Sequence, residues 1–287
     1  MTSEQYYSER LEKVLKYKGG LGAPRLTTPR SDLILAGTDH TADMTKFSST
    51  APHKDFLSAV RSADHMAMEG NKDSHFYFQA AKPRSYEVLA KRLISNRDIF
   101  YLEKGENQIE NSAQFGLSAY EVSMYLGIGQ LDDFNEAPVR ARTLRESATV
   151  SVDKLANSLF GFRKEQKPQA IEGMENMQRK IGELVQSGMS RETIASILLD
   201  VFHISAWYVR TVDDYLTIVP NALAFMQQRK GKKLIIAGYE HIRSIERALE
   251  YGSMPKPLLW RDFVSNVPNQ NSRRNFEFFN ELAGLGK

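Results

Sequence analysis

The chain contains no cysteine, which excludes disulfides, thiolate-bound zinc, iron–sulfur clusters and thiol nucleophiles together. It also lacks a long apolar run. The longest uncharged stretch, Tyr215 to Gln228, is broken by Thr217, Pro220 and Asn221 and falls short of the ~18–20 apolar residues that a bilayer span needs. No membrane crossing is expected. Met1 to Glu12 has no basic segment followed by an apolar one, so no secretory signal is expected and a cytoplasmic location is. The phosphate-binding patterns G-x-x-x-x-G-K-[ST] and G-x-G-x-x-G and the nucleophile elbow G-x-S-x-G are absent as well. Nucleotide hydrolysis, dinucleotide redox chemistry and serine hydrolysis therefore have no local signature. The histidines, His40, His53, His65, His75, His203 and His241, show no H-E-x-x-H or comparable ligand spacing. No metal, no cofactor and no enzymatic activity are expected on these grounds.

What remains is 287 residues, 41% hydrophobic and 25% charged. That balance describes a folded protein of one large domain or two ordinary ones. The net charge of +3 is unevenly placed, because residues 226–287 carry 11 Lys/Arg against 6 Asp/Glu.

Apolar residues recur mostly at three- and four-residue spacing, which predicts an all-α fold with room for a small β element near residues 75–102. A first helix is expected over residues 1–17, then an extended arm over 18–52, where Gly19, Gly20, Gly22, Pro24, Pro29 and Pro52 thin the order. A helical domain over 53–165 would follow. Within it, His75 to Gln79 and Asp98 to Leu102 are the strand candidates, with a helix over Ser85–Asn96 between them. The last domain, 166–287, reads as helices over 190–203, 205–217, 220–228, 232–251, 258–264 and 271–282. Asp213-Asp214 is read as facing water, and Trp207, Trp260, Phe276 and Phe279 as core.

One segment carries functional information. Ser190 is placed to cap a helix bearing Ile194 and small Ala195, and Ser205-Ala206-Trp207-Tyr208-Val209-Arg210 would start a second helix across a short turn. Arg229, Lys230, Lys232 and Lys233 follow as a basic run. These residues, from Met177 to about Glu250, resemble the DNA-binding domain of the ParB family of partition proteins. The resemblance implies a helix-turn-helix in which Arg191, Ser205, Tyr208 and Arg210 meet the DNA groove while Arg229, Lys230, Lys232 and Lys233 hold phosphates. It implies DNA as partner, a homodimer or larger homo-oligomer, and a role in plasmid partition or transcription regulation. No arginine-rich G-E-R-R-like box is present, so nucleotide binding is not expected.

A shorter stretch, Asp133 to Glu136, Pro138 to Arg142 and Leu159-Phe160-Gly161, is similar to potyvirus-like filamentous coat proteins. It implies an alternative: a viral nucleoprotein or coat subunit that assembles through its N-terminal arm and binds RNA or single strands, with Arg140 and Arg142 as contacts and a virion location.

Overall fold

The computed structural model describes residues 22–40, 42–70, 84–94, 98–103, 115, 179–228 and 230–283. They fall into two compact units. One unit holds the described residues within 20–106 and 213–255; the other holds those within 107–212 and 256–287.

The first unit is built on a five-stranded sheet in the order β1-β2-β5-β3-β4. Its strands are β1 (Arg25–Arg30), β2 (Leu33–Thr38), β3 (His65–Met68), β4 (Ile99–Tyr101) and β5 (Lys233–Gly238). β1 is antiparallel to β2, and the other neighbours are parallel. The fold is therefore α/β and not all-α. The stretch expected to be an extended arm contains β1 and β2, and the helix expected over 232–251 is β5 followed by a helix. The physical reason lies in β5: its residues, Lys-Leu-Ile-Ile-Ala-Gly, are buried throughout. A central parallel strand covered on both faces shows a continuous apolar run, which periodicity alone does not separate from a buried helical turn.

Two helices cover one face. Helix α1 (Ala51–Ser62) begins at Thr50, whose hydroxyl accepts from the His53 amide at 3.4 Å, with Pro52 in its first turn, a position where the missing N–H costs nothing. Helix α2 (Tyr86–Leu93) begins at Ser85, whose hydroxyl accepts from Val88 N–H. Phe56, Val60 and Ala63 of the α1 segment pack with Tyr86 and Ala90 against Ala36, Met66, Met68, Leu234 and Ile236. Fully burying side chains of this size contributes about 1.5–3 kcal/mol each. The register Ala36↔Ile236↔Met68 puts these residues on one face, so Leu35, Ala67 and Ile235, also fully buried, point to the other. There α5 (Tyr239–Tyr251) packs on β2 and β5, with α4 (Val219–Gln228) against it. Gly252, at φ 79°, ends α5 in the left-handed conformation that glycine adopts at no steric cost.

In the second unit the expected pair of helices over 190–203 and 205–217 is one unbroken helix, α3 (Arg191–Asp213). It has no turn at His203-Ile204, so the two-helix geometry is not formed. Its last residue, Asp213, belongs to the first unit, where a π turn (Asp214–Ile218) follows, closed by Val219 N–H donating to Asp214 C=O five residues back. Around α3, Trp207 and Tyr208 pack with Trp260 and Phe263 of α6 (Trp260–Ser265). Trp260 meets Phe276 of α7 (Gln270–Ala283) edge-on.

Candidate functional site at the carboxyl edge of the sheet

The sheet's apolar interior ends abruptly at the carboxyl ends of β2, β3 and β5. β2 ends in Gly37-Thr38-Asp39-His40 and β5 in Gly238-Tyr239-Glu240-His241, the two occurrences of Gly-x-x-His in the chain. They run side by side, with Thr38 paired to Gly238. Glu69, directly after β3, sits between them.

Its carboxylate accepts from His40 Nε2 at 3.1 Å, from His241 Nε2 at 3.2 Å and from the Gly238 amide at 2.5 Å. Each imidazole is held on its other side by a second carboxylate. His40 Nδ1 donates to Glu87 Oε1 at 3.0 Å, and His241 Nδ1 donates to Asp214 Oδ1. Hydroxyls close both ends: Thr38 donates to the same Glu87 oxygen, and Ser244 donates to Asp214 Oδ2. The result is one continuous polar chain, Thr38–Glu87–His40–Glu69–His241–Asp214–Ser244.

Local structure supplies each member. Glu87 lies in the first turn of α2, where a carboxylate is favoured by the helix dipole. Asp214 opens the π turn. In a regular helix consecutive side chains diverge by about 100°; here Asp213 and Asp214 are both buried and both act electrostatically on this cluster. Gly238 leaves room for this contact, since a Cβ there would lie 3.0 Å from His40 Nε2 and 3.3 Å from Glu69 Oε2, tight enough that both would have to give way.

With both ring nitrogens facing carboxylates, each imidazole donates twice, as only the imidazolium can. Burial alone would lower the His40 pKa, but Glu69 and Glu87 outweigh it and push it up to about 10. Burial opposes His241 in the same way, and Glu69 and Asp214 carry it well above the ordinary value. Burial likewise works against ionisation of Glu69 and Glu87, yet the imidazoliums hold both below the usual carboxylate range. Two neighbours behave oppositely. Burial, with Glu69 and Asp213 nearby, raises Glu103 to about 8. Burial also raises Asp213, to about 7, with His241 acting against it and Asp214 and Glu69 in its favour. The edge thus sets the lowered carboxyls of Glu69 and Glu87 against two imidazoliums, with Asp214 beside His241, plus two carboxyls that exchange protons near neutrality. Such displaced pairs of titrating groups gather at functional sites.

The residues expected to bind nucleic acid are placed elsewhere. Ser205 and Tyr208 are fully buried, and the Tyr208 hydroxyl donates to Leu258 C=O at 2.6 Å, so neither faces a groove. Arg210 is exposed. Lys233 is buried, its ammonium on Asp32 at 2.6 Å and on Gly231 C=O at 3.1 Å, and so does not reach a phosphate. Lys230 is exposed and Lys232 half-buried. Arg140, Arg142 and Arg229 and the side chain of Arg191 lie outside the described residues, as does the strand candidate His75–Gln79. Asp213-Asp214, read as facing water, is buried within the polar cluster where α3 passes into the π turn.

Sequence reasoning missed His40, Glu69, Glu87 and His241. The signal was the repeated Gly-x-x-His, each copy following an apolar run (Leu-Ile-Leu-Ala and Leu-Ile-Ile-Ala). Comparison with family models, with curated proteins and with solved structures finds no match. No described helix is long and apolar enough to cross a membrane.

Proposed function

We propose that this chain binds a small polar ligand where its two Gly-x-x-His strand ends meet. The observation that carries the reading is Glu69, held at the sheet edge between His40 and His241. In α/β sheets, ligands lie outside the carboxyl ends of strands whose connections leave to opposite faces. β2 and β5 are such neighbours: the chain passes from β2 to α1 on one face and from β5 to α5 on the other. The side chain of His40 is 24% exposed, against 13% for Glu69 and 7% for His241, so a ligand would approach over His40. Nitrogen-15 histidine spectra of the full chain, recorded against a small-molecule library, test the reading. A true ligand shifts the His40 and His241 ring signals together, and Glu69→Gln abolishes the response. Ligands that bind without moving either ring would overturn it.

A second reading, duplex DNA binding, draws on exposed Arg210 and Lys230. Its test is the salt dependence of a mobility shift, in which Lys230→Ala with Lys232→Ala flattens the slope by about 0.9 per lost phosphate contact. An unchanged slope rejects it.

A further inference from the structure

Glu87 uses only half of its carboxylate. Oε1 accepts from Thr38 and from His40, while Oε2 is buried and, among the described residues, has no hydrogen-bond partner. The side chain is 2% exposed, so bulk water does not serve that oxygen. A buried polar atom left unpaired is costly, and native folds rarely keep one without a use.

We propose, building on the ligand site above, that the molecule taken at this edge is a small organic cation bearing N–H donors, an ammonium or a guanidinium, and that Glu87 Oε2 is the oxygen that selects it. Three observations converge on that class. The first is composition: five carboxyl groups, Glu69, Glu87, Glu103, Asp213 and Asp214, gather around two imidazoles. A bound anion would add to that excess of carboxyls. The second is that the Gly238 amide, which caps α5 and could otherwise meet an anion, already donates to Glu69. The third concerns donors. All four ring nitrogens of His40 and His241 are committed to carboxylates, which leaves no ring lone pair for a metal. Among the described residues, no group of three His, Asp or Glu is arranged to hold one. An N–H cation needs only an acceptor, and Oε2 is one. Charge-assisted hydrogen bonds to carboxylate are the stronger kind, and guanidinium can span both oxygens of a carboxylate.

The test uses the full chain with labelled histidine and these probes: methylammonium, putrescine, guanidinium, glycerol, acetate, inorganic phosphate and Mg²⁺. The expected result is a saturable His40 shift with at least one of the N–H cations and none with acetate or phosphate. In Glu87→Gln the amide oxygen can keep the contacts of Oε1 while an NH2 replaces Oε2, and binding should weaken at least tenfold. Asp32→Asn, at the amino end of the same sheet and away from the polar chain, should keep affinity within about threefold and serves as the control for a general change in the fold. Saturation by phosphate, acetate or glycerol and not by cations would keep the ligand site and overturn its cationic class. Response to Mg²⁺ alone would overturn the N–H donor. Equal affinity in Glu87→Gln would show that Oε2 holds an ordered water only. Silence towards every probe, with no library ligand found, would remove both readings.

Discussion

The two ends of the same parallel strands are built to opposite rules. At the amino end, Lys233 reaches Asp32, whose side chain is 52% exposed, and Asp64 holds the adjoining turn by accepting from Lys232 N–H at 2.8 Å. There one charge of the pair stays in water and the rest is backbone hydrogen bonding. At the carboxyl end Glu87, His40, Glu69, His241 and Asp214 lie in an unbroken row, four of them with side chains no more than 13% exposed. Removing charges from water costs several kcal/mol per ion unless each is paired and hydrogen-bonded. A fold that needed only to close its sheet would use the first arrangement twice. The second costs more, which favours the carboxyl end as the ligand site proposed above.

The contrast can be broken most sharply at Glu69. Replacing it by alanine leaves two buried imidazoliums facing each other, so chemical denaturation should show a loss of about 3–5 kcal/mol. A loss below about 1 kcal/mol, the range of exposed pairs, would mean that the two ends are alike. Next in size is Gly238→Ala, where the added methyl pushes between His40 and Glu69. Overpacking of this kind costs about 1–3 kcal/mol, and the His40 ring signal should move with it.

The pH dependence sharpens the comparison without mutation. The stabilising contribution of His40, raised to about 10, is full below its unfolded value and is lost as pH rises towards 10. Glu103 and Asp213, raised to about 8 and about 7, favour the folded state while protonated and lose that contribution as pH rises from the ordinary carboxylate range through those values. Glu69, Glu87 and Asp32 are all lowered, so their contributions stay constant above the ordinary carboxylate range. Unfolding midpoints should therefore fall steadily from pH 5 to pH 10. Glu103→Gln should flatten the part below pH 8 and leave the part above it. A midpoint that rises over this window contradicts the assignment. The smallest effect is expected from Asp32→Asn at the amino end, where Gly231 C=O still accepts from the buried Lys233 ammonium: a shift less than that of Gly238→Ala.

Legibility followed the same division. Helices with caps and clear periodicity were readable: Ser85 opens α2, the stretch Asp98–Leu102 contains β4, and 220–228 and 271–282 correspond to α4 and α7. The central strands were not, because Leu33 to Ala36 and Leu234 to Ala237 are short apolar runs without alternation, and their partners lie some 200 residues apart in the chain. The polar edge was hidden for the same reason. His40 and His241 acquire meaning only once β2 and β5 pair, and no local spacing joins either to Glu69. Gly-x-x-His after an apolar run, written twice, was the one trace left in the letters. In the second unit the opposite error arose: Ser205 looked like the start of a new helix, yet it is buried within α3, where burial of Trp207 and Tyr208 outweighs a local capping preference.

The π turn at Asp214–Ile218 carries one residue more than a regular helix would use over the same rise. Excising a single residue from it, Tyr215 for example, would let the backbone relax into an ordinary helix running on into α4. Because the wide turn itself absorbs the extra residue, the helix on either side would keep its course, and the change would fall on the turn, where Asp214 supports His241. One codon, three nucleotides in length, would separate a chain with this polar row from a sibling of the same architecture that lacks it.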